Sequence, residues 1–133
     1  MIMSSDQKNY NTGVAAEYYV LSLLYRLGYE AYLTVGNKKS IDIRVVMGDR
    51  TITIDVKAVQ GYSSLIVNNV RPQRYHFCVF CCYNNKFDDP TQSPSVYIVP
   101  SLDLPKIMRT FGTQTRVFKR DLLSYQDRWA ILE

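Results

Sequence analysis

The chain has 133 residues, of which 47% are hydrophobic and 21% are charged, a composition typical of a globular domain with one core. No apolar run approaches the length that spans a bilayer, and residues 1–9 contain no hydrophobic signal segment. The sequence therefore predicts a single cytoplasmic domain, residues 1–133, without a membrane partner. The formal net charge of +4 is compatible with a polyanionic partner, and the single histidine leaves little room for histidine-based acid–base chemistry.

The predicted elements begin with one helix and three strands. Asn11 or Thr12 is the predicted N-cap of the helix, apolar residues recur at helical spacing after it, and Gly28 is a natural stop. Residues 29–35 are predicted to form the first strand, and residues 41–57 a hairpin. This order favours a mixed sheet with helices on its faces.

The hairpin alternates apolar and polar residues, the period of a half-buried strand. One face carries Ile41, Ile43, Val45, Ile52, Ile54 and Val56, and the other carries Asp42, Arg44, Thr53, Asp55 and Lys57. Gly48-Asp49 lies between the halves and suits a two-residue turn of type II′. That turn pairs Met47 with Arg50, and the resulting register places Asp42 opposite Asp55.

Two aspartates on directly opposed strand positions repel each other, because their Cβ atoms lie roughly 4.5–5.5 Å apart. A hard divalent cation with oxygen ligands would supply the missing counter-charge. Lys57 projects from the same face, two residues beyond Asp55. The alternative is a solvated polar face in which Lys57 and Arg44 balance the aspartates.

Glu17 is an acidic residue among apolar neighbours on the predicted helix. A carboxylate that points toward packed structure needs a partner. The functional interpretation joins Glu17 to the acidic site of the hairpin. The alternative is a position at the rim of the core, or a local pair with Arg26 or Lys8.

The second half of the chain predicts shorter elements. Residues 75–83 form a strongly apolar stretch that indicates a central strand covered on both faces. Cys78, Cys81 and Cys82 lie in this stretch, and free core thiols are the favoured interpretation over a zinc site, because no second ligand pair accompanies them. The other predicted elements are strands at 64–67 and 95–99, a helix at 101–109, a turn at 111–115, and short terminal elements at 117–123 and 125–132.

Glu17, Asp42, Asp55 and Lys57 in this order resemble the PD-(D/E)XK nuclease superfamily, and Gly13 on the opening helix agrees with the layout. The layout is most similar to archaeal-type Holliday-junction resolvases and small stand-alone endonuclease-like proteins. The resemblance covers about residues 10–60 and implies a restriction endonuclease-like αβββαβ core. In this chain Ile41 replaces the superfamily's proline, and Asp55 stands where glutamate is commoner.

The resemblance implies hydrolysis of nucleic-acid phosphodiesters, with DNA as the expected substrate. Mg²⁺ or Mn²⁺ would be bound by Asp42, Asp55 and the Val56 carbonyl, with help from Glu17, and Lys57 would act on the attacking water. The expected contacts to the nucleic-acid backbone are Lys38, Lys39, Arg44, Arg71 and Arg74.

Two other classes of function remain open from the sequence. One is a catalytically silent module of the same fold that binds nucleic acid or belongs to a defence or repair complex. The other is a structural or interaction protein without a nucleic-acid role. A chain of this size has no separate DNA-reading domain, so a homodimer is one candidate for the active form.

Overall fold

The computed structural model describes residues 3–34 and 41–133. Helix α1 spans Ser5–Arg26 and begins earlier than the sequence predicted, so Asn11 and Thr12 are not its N-cap. Ser4 caps the helix instead, with its hydroxyl accepting a hydrogen bond from the Gln7 amide at 3.1 Å. The first two turns are largely solvent-exposed and carry no apolar periodicity, which is why the pattern missed them.

Within the described residues, eight strands form two sheets. The strands are β1 (Glu30–Leu33), β2 (Ile43–Met47), β3 (Arg50–Val59), β4 (Ser64–Ile66), β5 (His76–Cys82), β6 (Ser95–Pro100), β7 (Met108–Phe111) and β8 (Gln114–Phe118). The central sheet has the order β1-β2-β3-β5-β6, in which β3 and β5 are parallel and the other neighbours antiparallel. A smaller sheet has the order β4-β8-β7.

The β2–β3 hairpin has the predicted register. Ile43 pairs with Ile54, and Met47 pairs with Arg50 across the two-residue turn. Gly48 occupies the turn with a φ of +57°, a conformation that L side chains rarely adopt. The apolar face of the hairpin is buried under α1, as the alternating pattern predicted.

Strand β5 is buried along its whole length, as expected for a central strand covered on both faces. One face of the sheet packs against α1, and the other packs against the smaller sheet and two short helices, α2 (Leu104–Ile107) and α3 (Lys119–Leu122). The cysteines of β5 are buried free thiols that alternate between the two faces, with Cys81 toward α1 and Cys78 and Cys82 on the opposite side.

The helix predicted at residues 101–109 is wrong for most of its length. A 3-10 turn spans Ser101–Asp103, α2 adds one turn, and β7 begins at Met108. The Ser101 hydroxyl does not cap a helix, because it donates to the Gln73 carbonyl at 2.8 Å and accepts from the Gln73 amide at 2.9 Å. The predicted turn at 111–115 joins β7 to β8.

The mixed α/β class predicted from the sequence is confirmed. The parallel connection from β3 to β5 differs from the expected αβββαβ order, because it carries β4 and loops where the helix was expected. Across residues 3–34 and 41–133 there is no helix with the length and apolar character that crossing a bilayer requires.

Candidate active site

Asp42 is held immediately before β2 by hydrogen bonds of its backbone and its side chain. Its backbone N–H donates to the Ile54 carbonyl at 2.8 Å, and its carbonyl accepts from the Thr34 N–H at 2.9 Å. The Asp42 Oδ2 atom accepts a hydrogen bond from the Val56 N–H at 2.7 Å. The carboxylate is therefore fixed against the part of β3 that carries Asp55.

Asp55 is almost completely buried, with 1% of its surface exposed. The Lys57 ammonium lies 3.5 Å from the Asp55 Oδ2 atom, yet within the described part of the chain that oxygen accepts no hydrogen bond. Burial raises the pKa of Asp55 to about 8; Lys57 opposes the increase and Asp42 adds to it. This carboxyl group therefore holds its proton more tightly than an exposed aspartate does, and added positive charge would favour release of the proton.

Glu17 projects from α1 and is half-buried. Its pKa is raised to about 7, first by burial and then by the negative charge of Asp42. Within the described residues neither Lys8 nor Arg26 forms an ion pair with it, so the local pairs considered from the sequence are not seen. The negative charge of Asp42 thus reaches Glu17, and the functional role of Glu17 stays a prediction.

His76 belongs to this region and was missed by the sequence interpretation. It is the first residue of β5, is 3% exposed, and pairs with Thr53 of β3. The Thr53 Oγ1 and His76 Nδ1 atoms are 2.6 Å apart. His76 lies on the same face of the sheet as Asp55 because the two strands are parallel and in register. Burial lowers the pKa of His76, against the opposing effect of Asp42, so the ring is neutral at pH 7.

The cationic residues predicted to contact nucleic acid lie on separate segments of the described chain. Arg44 is half-buried on β2, where it pairs with Thr53 and makes no ion pair with another described residue. Arg71 and Arg74 are exposed in the segment before β5. Lys38 and Lys39 lie outside the described residues.

A cleft of about 500 Å³ adjoins the acidic residues. Its walls come from α1, the end of β3, β4 and Arg116. Gly13, one helical turn before Glu17, and Ala58, the residue after Lys57, both line it, whereas the four predicted catalytic residues do not. Two of the lining residues are joined by a hydrogen bond, which the Gln60 side-chain amide donates to the Thr12 hydroxyl at 2.8 Å. The acidic site therefore lies beside the cleft and not within it.

The acidic residues suit a partly hydrated cation better than a metal enclosed by protein. Among residues 3–34 and 41–133, no group of three or more His, Cys, Asp and Glu side chains is arranged to hold a metal ion. Asp55 nevertheless has a buried oxygen without a donor, and Asp42 stands beside it. Mg²⁺ is usually bound by one or two carboxylates and keeps several of its waters.

No protein-family model matches the sequence, and no curated protein matches it. Solved structures do match its fold. A bacterial homing endonuclease superimposes with a TM-score of 0.62 and 16% identity, covering 98% of this chain and 93% of that one. A Holliday junction resolvase from the archaeal hyperthermophile Archaeoglobus fulgidus superimposes with a TM-score of 0.61 and 12% identity, covering 90% and 94%.

These similarities establish the fold, which is restriction endonuclease-like. The resemblance predicted from Glu17, Asp42, Asp55 and Lys57 is thereby confirmed at the level of architecture. It also extends beyond residues 10–60, where the motif was found, to nearly the whole chain.

Proposed function

We propose that the chain is a metal-dependent nuclease that hydrolyses phosphodiester bonds in DNA. The observation that carries this proposal is the buried Asp55 carboxyl group, which has the Asp42 carboxylate beside it and Lys57 at 3.5 Å, and one oxygen without a donor. That oxygen faces the Lys57 ammonium but accepts no hydrogen bond from the described residues. A cation bound between the two aspartates would contact this oxygen, and Lys57 would then be available to a phosphate.

Asp42 and Asp55 would hold Mg²⁺ or Mn²⁺, with the Val56 carbonyl and Glu17 as further contributors. The bound cation would supply positive charge against the charge that develops on the phosphate during hydrolysis. Lys57 would donate hydrogen bonds to the attacking water and to a phosphate oxygen, which orients both reacting groups. Glu17 would accept a hydrogen bond from a water in the cation's shell.

The similar structures support DNA as the substrate class, because one is a homing endonuclease and the other a Holliday junction resolvase. A homodimer whose two sites act on two strands is the expected active form. A cytoplasmic location and a single domain remain predictions from the sequence.

The test is cleavage of plasmid, branched and single-stranded DNA with Mg²⁺ or Mn²⁺. The wild-type protein should cut at least one substrate, and Asp55→Ala and Lys57→Ala should not. Lys106→Ala is a matched control, because Lys106 also lies 3.5 Å from an aspartate oxygen but on the exposed surface. Equal cutting by all variants would identify a contaminating nuclease and remove the proposal.

A second candidate is a catalytically silent module of the same fold that binds nucleic acid. The ion pair between Lys57 and Asp55 favours it, because that pair already neutralises part of the buried charge. Such a module would bind DNA without cutting it, and Lys57→Ala would leave the affinity unchanged.

A further inference from the structure

Two arginines share one tyrosine ring at the end of the central sheet that lies away from the cleft. The Arg50 Cζ atom is 4.9 Å from the centroid of the Tyr75 ring, and the Arg74 Cζ atom is 4.8 Å from it. Arg50 is the first residue of β3. Tyr75 precedes β5 and is tied to β3 by its carbonyl, which accepts from the Thr53 N–H at 3.0 Å. We call these three residues the arginine–tyrosine cluster.

The positive charge of this cluster is not balanced by the described part of the chain. Across residues 3–34 and 41–133 neither arginine side chain takes part in an ion pair or donates a hydrogen bond. The Arg50 Nε atom is buried without an acceptor. Two guanidinium groups on one ring repel each other, and a buried donor without an acceptor is costly. An anion that accepts several hydrogen bonds would therefore be stabilised at this cluster.

The chemistry of the cluster fits a phosphate diester better than a carboxylate on a flexible side chain. A guanidinium held against an aromatic ring keeps N–H groups that can make bidentate contacts with phosphate oxygens. Tyr75 is 39% exposed and Arg74 is exposed, whereas Arg50 is half-buried, so the ring and Arg74 are open to a large ligand. Repeated phosphates along a backbone can engage both arginines at once.

We propose that the arginine–tyrosine cluster binds the sugar-phosphate backbone of the nucleic acid that the acidic site acts on. The proposal rests on the proposed function and names a contact surface for it. Arg50 precedes Asp55 by five residues on β3, so their Cα atoms are roughly 16 Å apart along the strand. Because successive side chains of a strand point to opposite faces, Arg50 and Asp55 leave β3 on opposite faces. The cluster would therefore hold a segment of the backbone that lies outside the acidic site.

The experiment measures binding separately from cleavage. A fluorescein-labelled DNA duplex of about 20 base pairs is titrated in EDTA, and the affinity is followed by anisotropy from about 50 to 200 mM NaCl. The double variant Arg50→Gln/Arg74→Gln should bind at least about tenfold more weakly at the low salt concentration. Its plot of log affinity against log salt should be shallower by about 1 to 2, since each lost phosphate contact removes about 0.9.

Arg120→Gln is the matched control, because Arg120 also lies over an aromatic ring, with its Cζ atom 5.1 Å from the centroid of Phe118. It should leave both the affinity and the salt dependence unchanged. Tyr75→Phe keeps the ring and should bind like the wild type, whereas Tyr75→Leu removes the stacking surface and should bind about three- to tenfold more weakly. Thermal melting checks that each variant is folded.

A double variant with wild-type affinity and salt slope would overturn the proposal, as would an equal loss in Arg120→Gln or a wild-type protein that binds no duplex. The proposed function fails by a different result, namely cleavage that survives Asp55→Ala. Loss of cleavage in Asp55→Ala together with unchanged binding by the arginine double variant would remove the cluster and leave the nuclease proposal intact.

Discussion

The carboxylate of Asp42 accepts a hydrogen bond from the backbone N–H of Val56, at 2.7 Å. Val56 follows Asp55, so one bond links the two acidic positions of the site. It also satisfies a β3 amide near the point where β2 begins to pair with β3. Asp42 therefore has a structural role as an acceptor and a separate role as a charge, and different substitutions separate the two.

Asp42→Ala should lower the free energy of unfolding by about 1–3 kcal/mol, because the Val56 N–H loses its acceptor. Asp42→Asn should be at least as stable as the wild type, because the amide oxygen replaces the acceptor and the repulsion of Asp55 and Glu17 disappears. Urea unfolding of the metal-free protein measures both. Both variants should lose cleavage. Equal stability of Asp42→Ala and wild type would show that the bond contributes nothing.

The metal-free protein should become less stable as the pH rises. The pKa values of Asp55 and Glu17 are raised to about 8 and about 7, so the folded protein keeps protons that the unfolded chain has already released. Stability from this source is complete below about pH 4 and is lost as the pH rises through about 7 to 8. Each group contributes at most about 1.4 kcal/mol per pH unit. Urea unfolding in EDTA at about pH 5 and pH 8 measures the difference.

Asp55→Asn should flatten this pH dependence and be more stable than the wild type at about pH 8, because no buried carboxyl group is left to ionise. Asp121→Asn is the control, since Asp121 forms a partly exposed ion pair with Arg109. A wild-type slope in Asp55→Asn would contradict the assignment of the effect to the acidic site.

Two glycines should respond to alanine in opposite directions. Gly13 lies inside α1, and a Cβ atom there would meet nothing within 4 Å, so Gly13→Ala should stabilise the protein by about 1 kcal/mol. Gly48 also has free space, but its φ of +57° is strained for alanine, so Gly48→Ala should cost about 1 kcal/mol. Thermal or urea unfolding measures both.

Gly13 also lines the cleft, so the same Gly13→Ala variant should cut DNA more slowly despite its greater stability. The missing side chain leaves space that no other part of the described chain fills, which a nucleic acid in the cleft would use. Full activity in the stabilised variant would show that the cleft beside Gly13 is not occupied by substrate.

The hairpin and its acidic pair were predictable because the information is local. Alternation of apolar and polar residues identifies the buried face, and the Gly48-Asp49 turn fixes which residues pair. The opposed positions of Asp42 and Asp55 could therefore be predicted from the sequence, and the register of the hairpin agrees. Glu17 also follows, because it interrupts an apolar helix face.

The remainder depends on pairings between distant segments. His76 reaches the site only through the parallel register of β3 and β5, which no turn specifies. The smaller sheet joins β4 to β8 across more than forty residues, and β7 begins inside the segment that was predicted to be helical. The cluster of Arg50, Arg74 and Tyr75 likewise forms where two separate segments meet at one sheet end.

The most direct test of the account is calorimetric titration of the wild-type protein with Mn²⁺ at about pH 8, where Asp55 can release its proton. The account predicts saturable binding at or below millimolar Mn²⁺, lost in Asp42→Asn and Asp55→Asn and retained in Asp88→Asn, a change of an exposed aspartate. Absence of binding to the wild type, or equal binding by the two site variants, would contradict it.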